Sequence, residues 1–148
     1  MKFVIMRHGQ AEYYAPSDAE RPLTEQGKDE VLRTARMLHN RYSVANVLTS
    51  PYLRAKQTAD HLASELNCPI RTVNELAPGS DAVALIHQFS GTETVVLVSH
   101  MPLVSKLTGL LCEGSANAGP SFRTGAAAVI DCETIGMGTG QLIDVIDS

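Results

Sequence analysis

Apolar and polar positions alternate along this chain with two distinct periods. Residues 2–6 (KFVIM) form a short apolar run that stops at Arg7, as a buried strand does. Thr24 is a residue type that caps helices, and after it Val31, Ala35, Leu38 and Tyr42 recur at spacings of 4, 3 and 4, which predicts an amphipathic helix. Residues 45–49 predict a second strand. Ser50-Pro51 then predicts a helix opened by a capping hydroxyl and a first-turn proline, with Ala55, Ala59, Leu62 and Leu66 as its core stripe. Residues 68–73 predict a short third strand, and Ser80 or Asp81 caps a short helix that buries Leu85, Ile86 and Phe89. Residues 94–99 (TVVLVS) are apolar and β-branched and predict a central strand. Pro102 opens a helix carrying Leu103, Leu107 and Leu110 on one face. Residues 126–131 and 140–147, separated by glycine-rich turn residues, predict an antiparallel hairpin. Residues 9–23 lack periodicity, hold Pro16 and Pro22, and predict a surface loop.

This order of elements implies one α/β domain over residues 1–148. The expected architecture is a three-layer α/β/α sandwich around a mostly parallel central sheet, with an antiparallel edge hairpin. Apolar residues make up 44% and charged residues 19%, so the chain can bury a core. The net charge of −4 argues against general affinity for nucleic acid or anionic membrane. No apolar run could span a bilayer, and the few apolar residues before Arg7 are too short for a signal-peptide core. Cys68, Cys112 and Cys132 are widely spaced and form no CxxC pair, which suits a reducing cytoplasm and offers neither a disulfide framework nor a zinc site. A cytoplasmic location is expected.

In an open α/β sheet, ligands bind beyond the carboxyl ends of the strands. Arg7-His8-Gly9 follows the first strand, Thr49-Ser50-Pro51 and then Arg54 follow the second, and His100 follows the 94–99 strand. Two arginines and two histidines thus converge on one rim, and phosphate suits them. Arginine offers bidentate donors, and helix starts offer amides and a positive dipole end. Arg54 near a helix start opposes the dipole, so an anion there gives it a reason. The bland reading, a loop histidine after a strand, absorbs either histidine alone but not the convergence. His39, His61 and His87 lie on predicted helices without ligand spacing and are expected at the surface or its boundary. Ser99 stands in no Gly-x-Ser-x-Gly elbow, and Gly136, Gly138 and Gly140 form a turn, not a dinucleotide loop.

MRHGQAE at 6–12, RPLTEQG at 21–27, TSPYLRAKQTA at 49–59 and VLVSHMPLV at 96–104 resemble, in order, the four sequence blocks of the histidine phosphatase superfamily. They spread over about two-thirds of the chain. The short length and the SDAERPLTEQG and SHMPLV wording are most similar to SixA-type phosphohistidine phosphatases. The resemblance implies a phosphoglycerate-mutase-like fold, with His8 as the residue that takes the phosphoryl group and Arg7, Arg54 and His100 lining the phosphate pocket. Arg21 is a further candidate contact for phosphate or substrate, its alternative being a solvated loop charge. Members that act on phosphomonoesters use a carboxylic acid to protonate the leaving oxygen. Glu75 is the positional candidate, against the alternative of a solvated loop carboxylate, and nothing favours Glu12. No metal or cofactor is implied.

His8 must present a neutral ring nitrogen, and neighbouring arginine charge disfavours the imidazolium. Gly9 is expected to give the loop conformational freedom. The expected function is removal of phosphate from a protein phosphohistidine through a covalent intermediate on His8. The expected partner carries that histidine on a phosphotransfer domain of a sensor kinase or on a phosphocarrier. Two alternatives stand beside it: a phosphomonoesterase or mutase acting on a small metabolite, and a non-catalytic phosphohistidine binder, against which the intact His8 set weighs.

Overall fold

The computed structural model of the chain describes residues 1–147. Its strands are β1 (Lys2–Arg7), β2 (Asn46–Thr49), β3 (Ile70–Thr72), β4 (Thr94–Ser99), β5 (Ala127–Cys132) and β6 (Gly140–Ile146). Its helices are α1 (Glu25–Arg41), α2 (Leu53–Leu66), α3 (Ala82–Ile86) and α4 (Leu103–Glu113). One six-stranded sheet has the order β3-β2-β4-β1-β5-β6. The first four in that order are parallel, whereas β5 runs antiparallel to both β1 and β6. The three-layer sandwich with an antiparallel edge hairpin is therefore the fold, and β4 is interior, paired on one side with β1 and on the other with β2.

Successive strand residues face opposite sides, so each buried strand feeds two cores. Phe3, Ile5 and Leu97 join the apolar faces of α3 and α4, while Val4, Met6, Val96 and Val98 meet Val31, Leu38, Ala59 and Leu62 of α1 and α2. Burial on both faces explains why β1 and β4 read as continuous apolar runs. At the sheet edges this demand lapses: the three residues of β3 are exposed, and β6 leaves Leu142, Ile143 and Val145 in solvent.

Local signals held at some helix starts and failed at others. Thr24 caps α1 by accepting the Gly27 N–H at 2.9 Å, and Asp81 caps α3. Ser50-Pro51, however, does not open α2. Ser50 Oγ accepts the Tyr52 N–H at 3.2 Å in a tight turn, and the helix begins at Leu53 without a side-chain cap. Tyr42 and Phe89 fall just past their helices. Each is half-buried, Tyr42 bonding Asp144 and Phe89 packing edge-on against Phe3 at 5.5 Å. The 9–23 loop is partly ordered by a 3-10 turn over Asp18–Glu20 and a bridge between Ala11 and Leu23. His39 and His87 are exposed and His61 is half-buried. Among the described residues, no helix is long and apolar enough to cross a membrane.

Candidate active site

Arg7 ends β1, and the backbone N–H of His8 donates to Ser99 O at 3.1 Å, so the loop after β1 is docked on the end of β4. Gly9 is needed there for space. A Cβ on it would stand 2.5 Å from Gly27 O and 2.8 Å from Val31 Cγ2, so the glycine allows α1 to press on the loop. That close approach, not a left-handed backbone, is its requirement. Thr58 ties the loop to α2: its hydroxyl donates to Arg54 O at 2.8 Å and accepts the Gly9 N–H at 3.1 Å.

His8 is only 7% exposed, and its Nδ1 lies 2.7 Å from Gly9 O. A carbonyl can only accept, so Nδ1 carries the proton and Nε2 carries the lone pair. The Arg54 Nε–H donates to that Nε2 at 3.3 Å. Burial chiefly, with Arg54, Arg7 and Arg21 adding to it, lowers the His8 pKa to about 4 despite the opposing Gly9 bond. The ring is therefore neutral at physiological pH. The arginines contribute, but burial is the larger cause.

His100 is 2% exposed, and its ring centroid lies 5.0 Å from that of His8. Its Nε2 is 2.7 Å from Ser50 Oγ, while its Nδ1 is buried without a partner. Burial first, then His8 and Arg54, push its pKa down to about 3. Arg7 donates through Nη1 to Phe122 O at 2.9 Å, and its Nε is likewise buried and unpartnered. Buried polar groups are nearly always bonded, so two such orphans beside a neutral histidine mark a place prepared for a polar ligand. With two guanidinium groups at hand, an anion suits that place.

Arg54 is 5% exposed, and each of its nitrogens gives one hydrogen bond, Nε to His8, Nη1 to Asp18 O at 2.7 Å and Nη2 to Asp18 Oδ2 at 3.2 Å, which leaves a second N–H on each terminal nitrogen for a ligand. Its guanidinium also lies 5.0 Å from the Tyr52 ring centroid. Arg21 bonds Asp18 Oδ1 at 2.9 Å and Glu12 O at 2.6 Å. It lines a cleft of about 310 Å³ together with Arg7, His8, Glu12, Tyr13 and Thr124. The structure thus brings His8, Arg7, Arg54 and His100 together and sets Arg21 at the mouth. Glu75 is apart from them, exposed on the 3-10 turn Asn74–Leu76 and lining a separate depression with Arg71, Thr72, Asn74, Gln88 and Phe89. A larger cavity of about 710 Å³ lies at the amino ends of the strands and holds none of these residues.

Four site residues escaped the sequence reading: Ser50, Asp18, Thr58 and Glu30. Glu30 is buried, and its two oxygens accept from the Gln10 N–H at 2.8 Å and the Thr124 hydroxyl at 3.1 Å. A carboxylate at a buried position of the α1 stripe was the available signal, since charge there needs partners. Thr58, one turn after Arg54, had a similar signal. Ser50 stood on the rim after the second strand but read as a helix cap, and Asp18 lay inside a family-like block without a role of its own.

The pattern of the histidine phosphatase superfamily (branch 1) matches residues 3–77. The phosphohistidine phosphatase SixA of Escherichia coli K12 is 38% identical over 148 residues, covering 94% of this chain and 90% of that protein. A SixA homologue of Haemophilus influenzae is 29% identical over 126 residues, covering 75% and 77% respectively. The solved structure of the protein histidine phosphatase SixA complexed with tungstate superposes with a TM-score of 0.85 at 35% identity, covering 99% of this chain and 97% of that one. A buried neutral histidine between two arginines and a second histidine, at the carboxyl ends of a parallel sheet, thus agrees with family-level similarity along the whole chain: the protein belongs to the histidine phosphatase superfamily, branch 1, as a phosphatase of the SixA type.

Proposed function

We propose that this phosphatase removes phosphate from a histidine on another protein, passing the phosphoryl group through His8. The Arg54 Nε–H turns from His8 Nε2 to a phosphoryl oxygen, the freed Nε2 lone pair attacks phosphorus, and the P–N bond of the substrate breaks. The leaving imidazole nitrogen keeps the bonding pair and takes a proton from solvent. Water then attacks phosphorus and gives up a proton to solvent, the P–Nε2 bond breaks with its pair returning to Nε2, and inorganic phosphate leaves with His8 restored. Arg7, Arg54 and His100 supply donors to the phosphoryl oxygens as charge shifts in a loose transition state.

The observation that carries this reading is the state of the carboxylates. A phosphomonoester needs an acid for its alkoxide, whereas an imidazole nitrogen is a far weaker base. Glu75 lines a separate depression, and Glu12, which lines the cleft, is an exposed loop carboxylate. Asp18, which touches Arg54, is held below the usual carboxylate range, first by its bond to Arg21 and further by Arg54, so it stays ionised. The setting also suits a protein substrate. Only 45 residues separate Arg54 from His100, and α2, β3, α3 and β4 occupy most of them, leaving little chain for a lid. Beside the cleft, Tyr13 and Tyr14 are 89% and 93% exposed. Large aromatic side chains in solvent are typical anchors for a partner surface. The partner in this reading is a phosphotransfer domain or a phosphocarrier; relatives named for phosphohistidine, one of them solved with the tetrahedral oxyanion tungstate, support the phosphohistidine part of it.

The test measures phosphate release from phosphohistidine proteins and from small phosphomonoesters. We expect kcat/KM for the protein substrate to exceed that for the esters by at least about 10²-fold. Brief incubation with labelled phosphodonor should trap an acid-labile, base-stable phosphoryl group that His8→Ala lacks. Comparable turnover of a small ester would favour the phosphomonoesterase reading. Label persisting on His8→Ala would refute the intermediate.

A further inference from the structure

Ser50 is fully buried at the end of β2, where its backbone N–H donates to Val98 O at 3.0 Å and so docks it on β4. Its hydroxyl oxygen accepts the Tyr52 N–H at 3.2 Å and lies 2.7 Å from His100 Nε2. Two arrangements of the second contact exist. If His100 carried its proton on Nε2 and donated to Oγ, the Ser50 hydroxyl proton would be buried with no acceptor, an arrangement native structures avoid. If Ser50 donates instead, both its proton and the Nε2 lone pair are used. The second arrangement satisfies every group of the serine.

We propose that Ser50 is a positioning residue: its hydroxyl donates to His100 Nε2, holds the ring proton on Nδ1, and thereby presents a buried N–H donor to the phosphoryl group beside His8. This rests on the reading that the phosphoryl group is taken onto His8. Because His100 is neutral, it has one ring proton, and the hydroxyl decides which nitrogen carries it. Nδ1 is the atom left unpartnered inside the protein, so the tautomer selected by Ser50 places the donor where the fold provides no acceptor of its own. The edge of Tyr52 packs on the ring at 5.2 Å and helps hold its plane, but an aromatic contact cannot choose between tautomers. Pro51 and Tyr52 keep Ser50 in a tight turn rather than at a helix cap, and this frees its hydroxyl for His100.

The experiment records ¹⁵N side-chain shifts of His100 in uniformly labelled protein, with kcat and KM measured on a phosphohistidine protein. The wild type should show a protonated Nδ1 and a bare Nε2. Ser50→Ala should lose that tautomer's dominance and lower kcat by about 10²-fold, with a smaller change in KM, as the loss of an oriented donor does. Ser50→Thr, which keeps a hydroxyl, should retain the Nδ1–H tautomer. A wild-type His100 protonated on Nε2 would overturn the proposal, as would a folded Ser50→Ala with the wild-type tautomer and kcat. Should Ser50→Ala fail to fold, the wild-type spectrum alone decides. If His8 takes no label from a phosphodonor, the functional reading fails, a result separate from the tautomer measurement.

Discussion

Arg54→Ala removes the group on which the site converges. The guanidinium is almost fully buried, donates to His8 Nε2 at 3.3 Å and reaches Asp18 through both terminal nitrogens. In the reaction it gives hydrogen bonds to oxygens whose charge is redistributed as the P–N bond loosens. Losing one such charged donor in a water-poor site costs about 2–4 kcal/mol of transition-state binding, or about 10²–10³-fold in rate. The fold should survive, because Asp18 is largely exposed and keeps its pairing with Arg21. His8 should also titrate at higher pH in the variant, since Arg54 is one of the charges that hold its pKa down. Arg54→Lys should recover only part of the loss, because an ammonium cannot bridge two oxygens. The assay is single-turnover phosphate release with enzyme in excess over a phosphohistidine protein, which separates the chemical step from binding. Full activity in either variant, or a loss confined to binding, would refute the placement of Arg54 against the reacting phosphoryl group.

Acid should destabilise the protein earlier than an ordinary histidine content suggests. His8 and His100 have folded pKa values of about 4 and about 3 against 6.5 in the unfolded chain, so below 6.5 the unfolded state binds more protons. Their contribution is complete above that pH and is lost as pH falls toward 3–4. A Tm unchanged between pH 7 and pH 4.5 by circular dichroism would contradict this. Glu75→Gln should alter turnover of a phosphohistidine protein by less than about 2-fold, whereas a loss on the scale of general-acid catalysis, about 10²-fold or more, would restore it as the acid. Replacing Tyr13 and Tyr14 together by serine should lower kcat/KM for a phosphohistidine protein by about 10-fold, as loss of an interface anchor does. Phosphoramidate, which brings no protein surface to bury, should lose much less; an equal loss on both substrates would remove the tyrosines from the docking surface.

The chemistry of this protein was legible in sequence wherever it follows directly from an apolar run. A strand buried on both faces must be apolar along its length, so the first polar residues after it, Arg7-His8 and His100, announce the rim on which ligands sit. Arg54 showed itself by standing near a helix start, where its charge opposes the dipole. Thr24 and Asp81 were legible as caps because a cap bonds residues two or three positions away. Other features depended on tertiary structure. The Ser50 hydroxyl meets a ring 50 positions later, and Asp18 meets an arginine 36 positions later, contacts that no local pattern encodes. Ser50 therefore read as an ordinary helix cap, and its partner showed otherwise. Glu75 follows a strand in sequence just as His8 does, but β3 is a three-residue exposed edge, and the turn after it points Glu75 into a different depression. The protonation state of His8 divides the same way. Its neighbouring arginine charge was visible in the chain, but the larger cause is burial under α1 and α2, and how deeply a residue is buried depends on how distant segments pack, not on its neighbours in sequence.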